Sequence, residues 1–240
     1  MEVFLIICIV IIAFLYSSVG HGGASGYLAL MAFFSIAPEY MKSSALLMNL
    51  FVSAIAFFSY YQSGYFRWKI FLPFAISSMP MAFFGAKLII DPQIYKFILG
   101  ILLLIGAGRI LYKPKEMYEI KKSSFLLSLA IGAVMGFFSG MIGIGGGIIL
   151  SPLLLMLKWT NVKETAAISA LFIFVNSATG LAGTWKDGFV LPNEIILWIT
   201  AGIIGGLAGS YMGSKKFSFV WTKYILAVVL IMASIKLFSI

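Results

Sequence analysis

The sequence predicts an all-helical, polytopic membrane protein made of two inverted repeats. Three observations lead there: the composition, the length of the apolar runs, and a match between the two halves. Of 240 residues, 62% are hydrophobic and 10% charged, with a mean hydropathy of +1.06, whereas a soluble domain carries about 25% charged residues. Lipid offers backbone N–H and C=O groups no partners, so spanning elements are helices or closed barrels. The runs here are too long and continuous for barrel strands.

Met1 to Tyr16 reads as a retained helix rather than a cleaved signal, because Glu2 is its only charge and no small-x-small site follows. Cys8, the single cysteine, fits as a small apolar residue inside that run. Apolar runs between polar or Gly/Pro breaks give ten segments: 2–19, 24–36, 42–62, 68–90, 93–111, 123–141, 146–157, 162–184, 192–214 and 218–239. The second and seventh are too short for the roughly 20 residues a crossing needs. Each is expected as a half-helix or re-entrant piece joined to its predecessor through glycines.

The halves align on polar and glycine landmarks. "VGHGGASGYLALM" (19–31) lies over "IGIGGGIILSPLL" (142–154), placing Gly20, Gly22 and Gly23 over Gly143, Gly145 and Gly146. "YMKSSALLMNLF" (40–51) lies over "NVKETAAISALF" (161–172), "GYF" (64–66) resembles "DGFV" (187–190), and "YKFILG" (95–100) resembles "TKYILA" (222–227). Five segments per half is an odd number, so the second half enters the membrane upside down. The chain divides into an N-terminal repeat at 1–111, a basic linker at 112–122 and a C-terminal repeat at 123–240. Arg109, Lys113, Lys115, Lys121 and Lys122 make the region around the linker the most basic stretch, which places it in the cytoplasm and both termini outside an inner membrane. The net charge of +9 is spread over short loops, a membrane-orienting pattern rather than a nucleic-acid surface.

The glycines divide by spacing. Gly132, Gly136 and Gly140, and Gly205, Gly209 and Gly213, recur every fourth residue and suit close helix packing, which permits a homodimer without requiring one. The clusters "GHGGAS" (20–25) and "GIGGG" (143–147) are different. Three successive glycines at 145–147 would weaken a regular helix by roughly 3 kcal/mol relative to alanine, so an unwound turn is expected. A helix that starts inside the membrane has unpaired N–H groups and about half a positive charge, and it can hold an anion without a basic side chain. Equivalent broken helices meeting near the midplane are a recurrent transporter build. No strand precedes the glycines and no Gly-Lys-Ser/Thr follows them, so dinucleotide and P-loop readings fail.

The candidate substrate-binding set is Gly20, His21, Gly22, Gly23, Ser25, Lys42, Ser43, Ser44, Asn49, Gly143, Gly145, Gly146, Gly147, Lys163, Thr165 and Asn176. His21, the only histidine, either donates to an anion or carries a proton, or else is neutral and bonded to a carbonyl. Asn49 and Asn176 either line a pathway or bond neighbouring helices. Lys42 and Lys163 either reach the headgroups or bring a cation, with Ser43, Ser44 and Thr165, beside each turn. No Asp or Glu falls in mid-helix, which argues against a carboxylate proton relay or carboxylate metal site. Nor is there a Cys/His cluster, a Ser/His/Asp set or a Walker motif, so neither catalytic residues nor a metal or cofactor are expected.

With these residues, the chain resembles the TauE/SafE sulfite exporter family, or TSUP transporters. The resemblance spans nearly the whole length: the duplicated unit, the glycine cluster after each first helix, "GIGGGIILSPLLL" (143–155), and "KSSA" (42–45) with "KETAA" (163–167). Pro152 follows the glycines in the second half only, where the first half has Ala29 or Leu30, so the halves are expected to contribute unequally. The resemblance implies transport of sulfur-containing anions such as sulfite, sulfoacetate or other organosulfonates. Alternating access between the repeats is the expected mechanism, with a passive anion channel as the alternative.

Overall fold

The computed structural model describes residues 2–88, 90–111, 120–184, 190–215 and 220–238. Its helices are α1 (Glu2–Ser17), α2 (Ala24–Phe33), α3 (Pro38–Gln62), α4 (Trp68–Ala86), α5 (Pro92–Leu111), α6 (Phe125–Ile142), α7 (Gly147–Met156), α8 (Val162–Thr184), α9 (Ile195–Lys215) and α10 (Val220–Phe238). Linker residues 112–119 and loop residues 187–189 of the repeat match lie outside the described residues. The protein is all-helical, and α3, α4, α6, α8 and α9 are long and apolar enough to cross a membrane.

Local chemistry sets the helix ends. α3 starts at Pro38, earlier than the expected residue 42, because a proline without an N–H suits the first turn and Glu39 complements the positive helix end. Ser124 accepts from the Leu127 N–H to start α6, and Asp91 accepts from the Gln93 N–H at 2.8 Å to start α5. At α8, Asn161 and Glu164 form a reciprocal capping box: the Glu164 N–H donates to Asn161 Oδ1 at 2.9 Å, and the Asn161 N–H donates to Glu164 Oε2 at 3.2 Å.

The short helices have ten residues each, about 15 Å of rise against a hydrocarbon core of about 30 Å. α2 turns back along α1, because Gly26 lies against Ile12 and Tyr16. α2 is therefore a half-length returning piece, as the short second segment implied, and α7 is equally short.

Packing repeats itself when the halves are exchanged. α1 lies on α9 as α6 lies on α4; α3 packs on α8 and α9 as α8 packs on α3 and α4; α2 meets α10 as α7 meets α5. Equivalent helices also run antiparallel, which is what inversion demands. Leu46 near the start of α3 faces Gly180 near the end of α8, while Tyr60 at the end of α3 clusters with Ala166 and Ala167 at the start of α8. Likewise Ser234, late in α10, donates to the Gly100 carbonyl in α5 at 2.6 Å.

The fourfold-spaced glycines make the tight contacts. A β-carbon on Gly136 or Gly140 would collide with the carbonyls of Ser78 or Ala82 in α4, and one on Gly205, Gly209 or Gly213 with those of Val10 and Phe14 in α1 or of Ser18 just past its end. Both pairs run parallel with backbones in contact. Outward faces stay apolar: Leu126 is 77% and Ile196 72% exposed, side chains suited to lipid. The chain is a multi-pass membrane protein. The end of the bundle where α5 finishes and α6 begins is the linker end.

Candidate functional site

Left-handed glycines stand at two matching positions of the two turns, and Gly145 (φ +76°) adds a third to the second turn. Gly20 (φ +78°) and Gly143 (φ +89°) end the first helix of each half, and Gly23 (φ +97°) and Gly146 (φ +77°) are the N-caps of α2 and α7. Side chains with a β-carbon rarely adopt this conformation, so glycine is required at both ends of each turn. Each turn presses on the start of the long helix of the opposite half: Gly20 on Ala166 in α8, and Gly143 on Lys42 in α3.

The two turns meet between the midpoints of α3 and α8. Gly22 and Gly145 both lie against Asn49 and Ile173, and Gly147 lies against Ile173 and His21. The break in one half thus faces the break in the other, at the depth where the long helices are half crossed.

His21 ties the turns together. Its Nδ1 lies 3.1 Å from the Val19 carbonyl, and its Nε2 lies 3.0 Å from the Gly147 carbonyl and 3.0 Å from Ser151 Oγ, itself 2.7 Å from Ser169 Oγ. A neutral imidazole has one N–H. With the proton on Nε2 the ring donates to the Gly147 carbonyl, and with the proton on Nδ1 it donates to the Val19 carbonyl and accepts from the Ser151 hydroxyl at Nε2; in either tautomer it is bonded to a carbonyl, the neutral alternative of the sequence reading.

Asn49 serves as a cap from outside. Its Oδ1 accepts the Ala24 N–H at 3.0 Å, at the start of α2, and its Nδ2 donates to Ser177 Oγ at 3.4 Å. Asn176 donates from Nδ2 to the Phe172 carbonyl of its own helix at 2.8 Å, while its buried Oδ1 has no hydrogen-bond partner among the described residues. The buried hydroxyls of Ser44 and Ser139 also have none there. Ser139 lies beside the α7 N-cap, its Cβ 3.7 Å from where a β-carbon on Gly146 would stand.

The lysines sit elsewhere. Lys42 Nζ donates to the Ala86 carbonyl at 2.6 Å, at the last residue of α4, and Lys163 Nζ donates to the Gly213 and Ser214 carbonyls at 2.5 and 3.0 Å, at the end of α9. Each ammonium thus caps the negative end of the next helix in its own half. Thr165 bonds Thr160 at 2.7 Å and the Asn161 carbonyl at 2.7 Å, and Ser25 donates to the Tyr16 hydroxyl at 2.9 Å. Ser43 is buried.

The structure therefore brings together Gly22, Gly145, Gly147, His21 and Asn49, with Gly20, Gly23, Gly143 and Gly146 shaping the turns. It leaves the lysines, Ser25 and Thr165 in capping and packing roles. Ser151, Ser169 and Ser177 belong to the site but were not singled out from sequence. Their signal was a hydroxyl within an apolar helix, the same reasoning that selected Asn49.

Residues 5–237 match the family model described as sulfite exporter TauE/SafE. The chain is 36% identical over 238 residues to the probable membrane transporter protein y4hK of Sinorhizobium fredii, covering 97% of this chain and 96% of that one. It is 23% identical over 205 residues to the probable membrane transporter protein YunE of Bacillus subtilis, covering 76% and 75%. A probable membrane transporter protein of Methanocaldococcus jannaschii is 32% identical over 153 residues, 60% of this chain and 55% of that one. No solved structure matches the chain.

Proposed function

This chain belongs to the sulfite exporter TauE/SafE family of membrane proteins, and from that premise we propose that it transports a small sulfur oxyanion or sulfonate by alternating access. The observation that carries the reading is the pair of left-handed glycine turns at the starts of α2 and α7, meeting at Asn49 and Ile173. Helix starts at mid-depth offer amide N–H groups to an anion in surroundings that exclude water, where such bonds are strong. Asn49, Ser177 and Ser151 supply amide and hydroxyl groups around the turns, and among the described residues no carboxylate is bonded to them to repel the anion.

The turns contribute unequally. Asn49 already accepts the Ala24 N–H at the start of α2, whereas the buried Ser139 hydroxyl beside the α7 N-cap has no partner among the described residues, so the anion is assigned chiefly to the Gly145–Gly147 turn. The protein sits in the inner membrane with the linker end in the cytoplasm. At that end lie Arg67 and Lys69 ahead of and within the first turn of α4, Lys158 and Lys163 around the start of α8, and Lys215 at the end of α9. Purified protein in liposomes tests the reading: saturable, counterflow-capable flux of labelled sulfite or sulfonates supports it. Flux that rises linearly without counterflow assigns a passive channel instead.

A further inference from the structure

The two ends of the bundle are built from equivalent pieces yet differ in closure. At the linker end the α3–α4 connection meets the start of α8. Arg67 Nε donates to Glu164 Oε1 at 2.6 Å, and the same carboxylate is paired with the Arg67 terminal nitrogen. Glu164 is buried, at 7% side-chain exposure, and its second oxygen belongs to the Asn161 capping box, so the carboxylate is fixed while the 55%-exposed arginine reaches to it. Beneath the pair, Phe74 packs on Trp159 with ring centroids 6.2 Å apart. Phe66 packs edge-on to Trp68 at 4.8 Å.

At the other end the α8–α9 connection meets the start of α3, and there a cavity of roughly 360 Å³ opens between Ser35, Ile36 and Tyr40 on one side and Leu191, Asn193 and Trp198 on the other. The repeat alignment sets these positions against each other. Glu164 falls on Ser43, Asn161 on Tyr40, Arg67 on Leu191 and Phe74 on Trp198. The cavity thus occupies the place that the ion pair, the capping box and the aromatic contact fill at the linker end, and neither Leu191 nor Ser43 can make an ion pair. Tyr40 is nine residues from Asn49 along α3, and Glu164 nine from Ile173 along α8, about 14 Å of helix in each case.

We propose that the Ser35–Leu191 cavity is the mouth of the transport pathway in this conformation, and that Arg67–Glu164 is the latch holding its counterpart at the linker end shut. The latch joins one half of the chain to the other, as a gate between two rocking repeats must, and the first turn of α8 that carries Glu164 also bears on Gly20 through Ala166. Movement at the turns is thereby transmitted to the latch. This assignment rests on the transport reading but is tested without any substrate.

A reporter cysteine in place of Ser169, buried five residues below Glu164, is introduced with Cys8→Ser, and a membrane-impermeant maleimide is applied from the linker side. A second reporter, Asn193→Cys, is labelled from the opposite side. Ser169→Cys should label slowly with Arg67 present, about threefold faster with Arg67→Gln, and slowly again with Arg67→Lys, which keeps the charge. Asn193→Cys should label readily in all three. Equal Ser169→Cys rates with Arg67 and Arg67→Gln, or an unreactive Asn193→Cys, overturns the proposal. A working latch in the reporter protein, with no anion flux through the protein that keeps Ser169, would instead overturn the transport reading alone.

Discussion

His21 Nε2 lies 3.0 Å from the carbonyl oxygen of Gly147, so the one histidine of the chain joins the first glycine turn to the first residue of α7, 126 residues away. With Ser151 Oγ 3.0 Å from the same nitrogen and Ser169 behind it, the ring is a polar tie between the two halves at the depth of the turns, beside the Asn49–Ser177 contact. His21→Ala removes it and leaves the Ser151 hydroxyl without that partner. The expected loss is about 1–3 kcal/mol of stability, read as a lower thermal unfolding midpoint in detergent. An unchanged midpoint would remove the tie from the account.

The left-handed N-caps predict a graded glycine series. Gly146→Ala places a β-carbon in a conformation that costs about 1–2 kcal/mol and within 2.8 Å of the Phe172 ring. Gly64 has nearly the same φ, +78°, in the α3–α4 connection with nothing near its β-carbon position. Both alanine variants should lose some stability, but only Gly146→Ala should reduce anion flux, by tenfold or more at matched folded protein. Equal flux in the two would show that the turn does not hold the anion.

Packing and conformational glycines separate in the same manner. Gly140→Ala and Gly209→Ala drive a β-carbon into the carbonyls of Ala82 and Phe14, and each should yield protein that aggregates on size-exclusion chromatography. Gly108 lies inside α5 with open space around its β-carbon position, so Gly108→Ala should raise helix stability by about 1 kcal/mol. Monodisperse Gly140→Ala protein with an unshifted melting temperature would contradict the contact between α4 and α6.

Lys163 offers a test of role rather than presence. Because its ammonium caps the Gly213 and Ser214 carbonyls, Lys163→Met should lower the thermal midpoint while leaving KM for the anion within about twofold, and Lys163→Arg should restore the midpoint. A large rise in KM at unchanged stability would return the lysine to the anion's own shell.

These contrasts mark what could be read from sequence. Gly20, Gly23, Gly143 and Gly146 were legible because tandem glycines are costly in a lipid-buried helix and because they recur in register between the halves. The spacing of four marked Gly136 and Gly209 as packing residues for an equally local reason. What Lys42 and Lys163 do was not legible, since the carbonyls they bond are 44 and 50 residues away, at helix ends that only the fold brings near. The Arg67–Glu164 pair spans 97 residues and crosses between halves, so neither charge signals the other. Ser151, Ser169 and Ser177 look like ordinary small residues of apolar helices until the opposing turn is set against them.

The central claim is that the paired glycine turns carry a small sulfur anion across the membrane, and counterflow in proteoliposomes tests it most directly. Vesicles loaded with unlabelled sulfite, and in parallel with a sulfonate, should take up the labelled anion transiently above equilibrium, saturably, and at least tenfold less with Gly146→Ala. No protein-dependent uptake of either anion, or uptake of equal size with Gly146→Ala, would contradict the account.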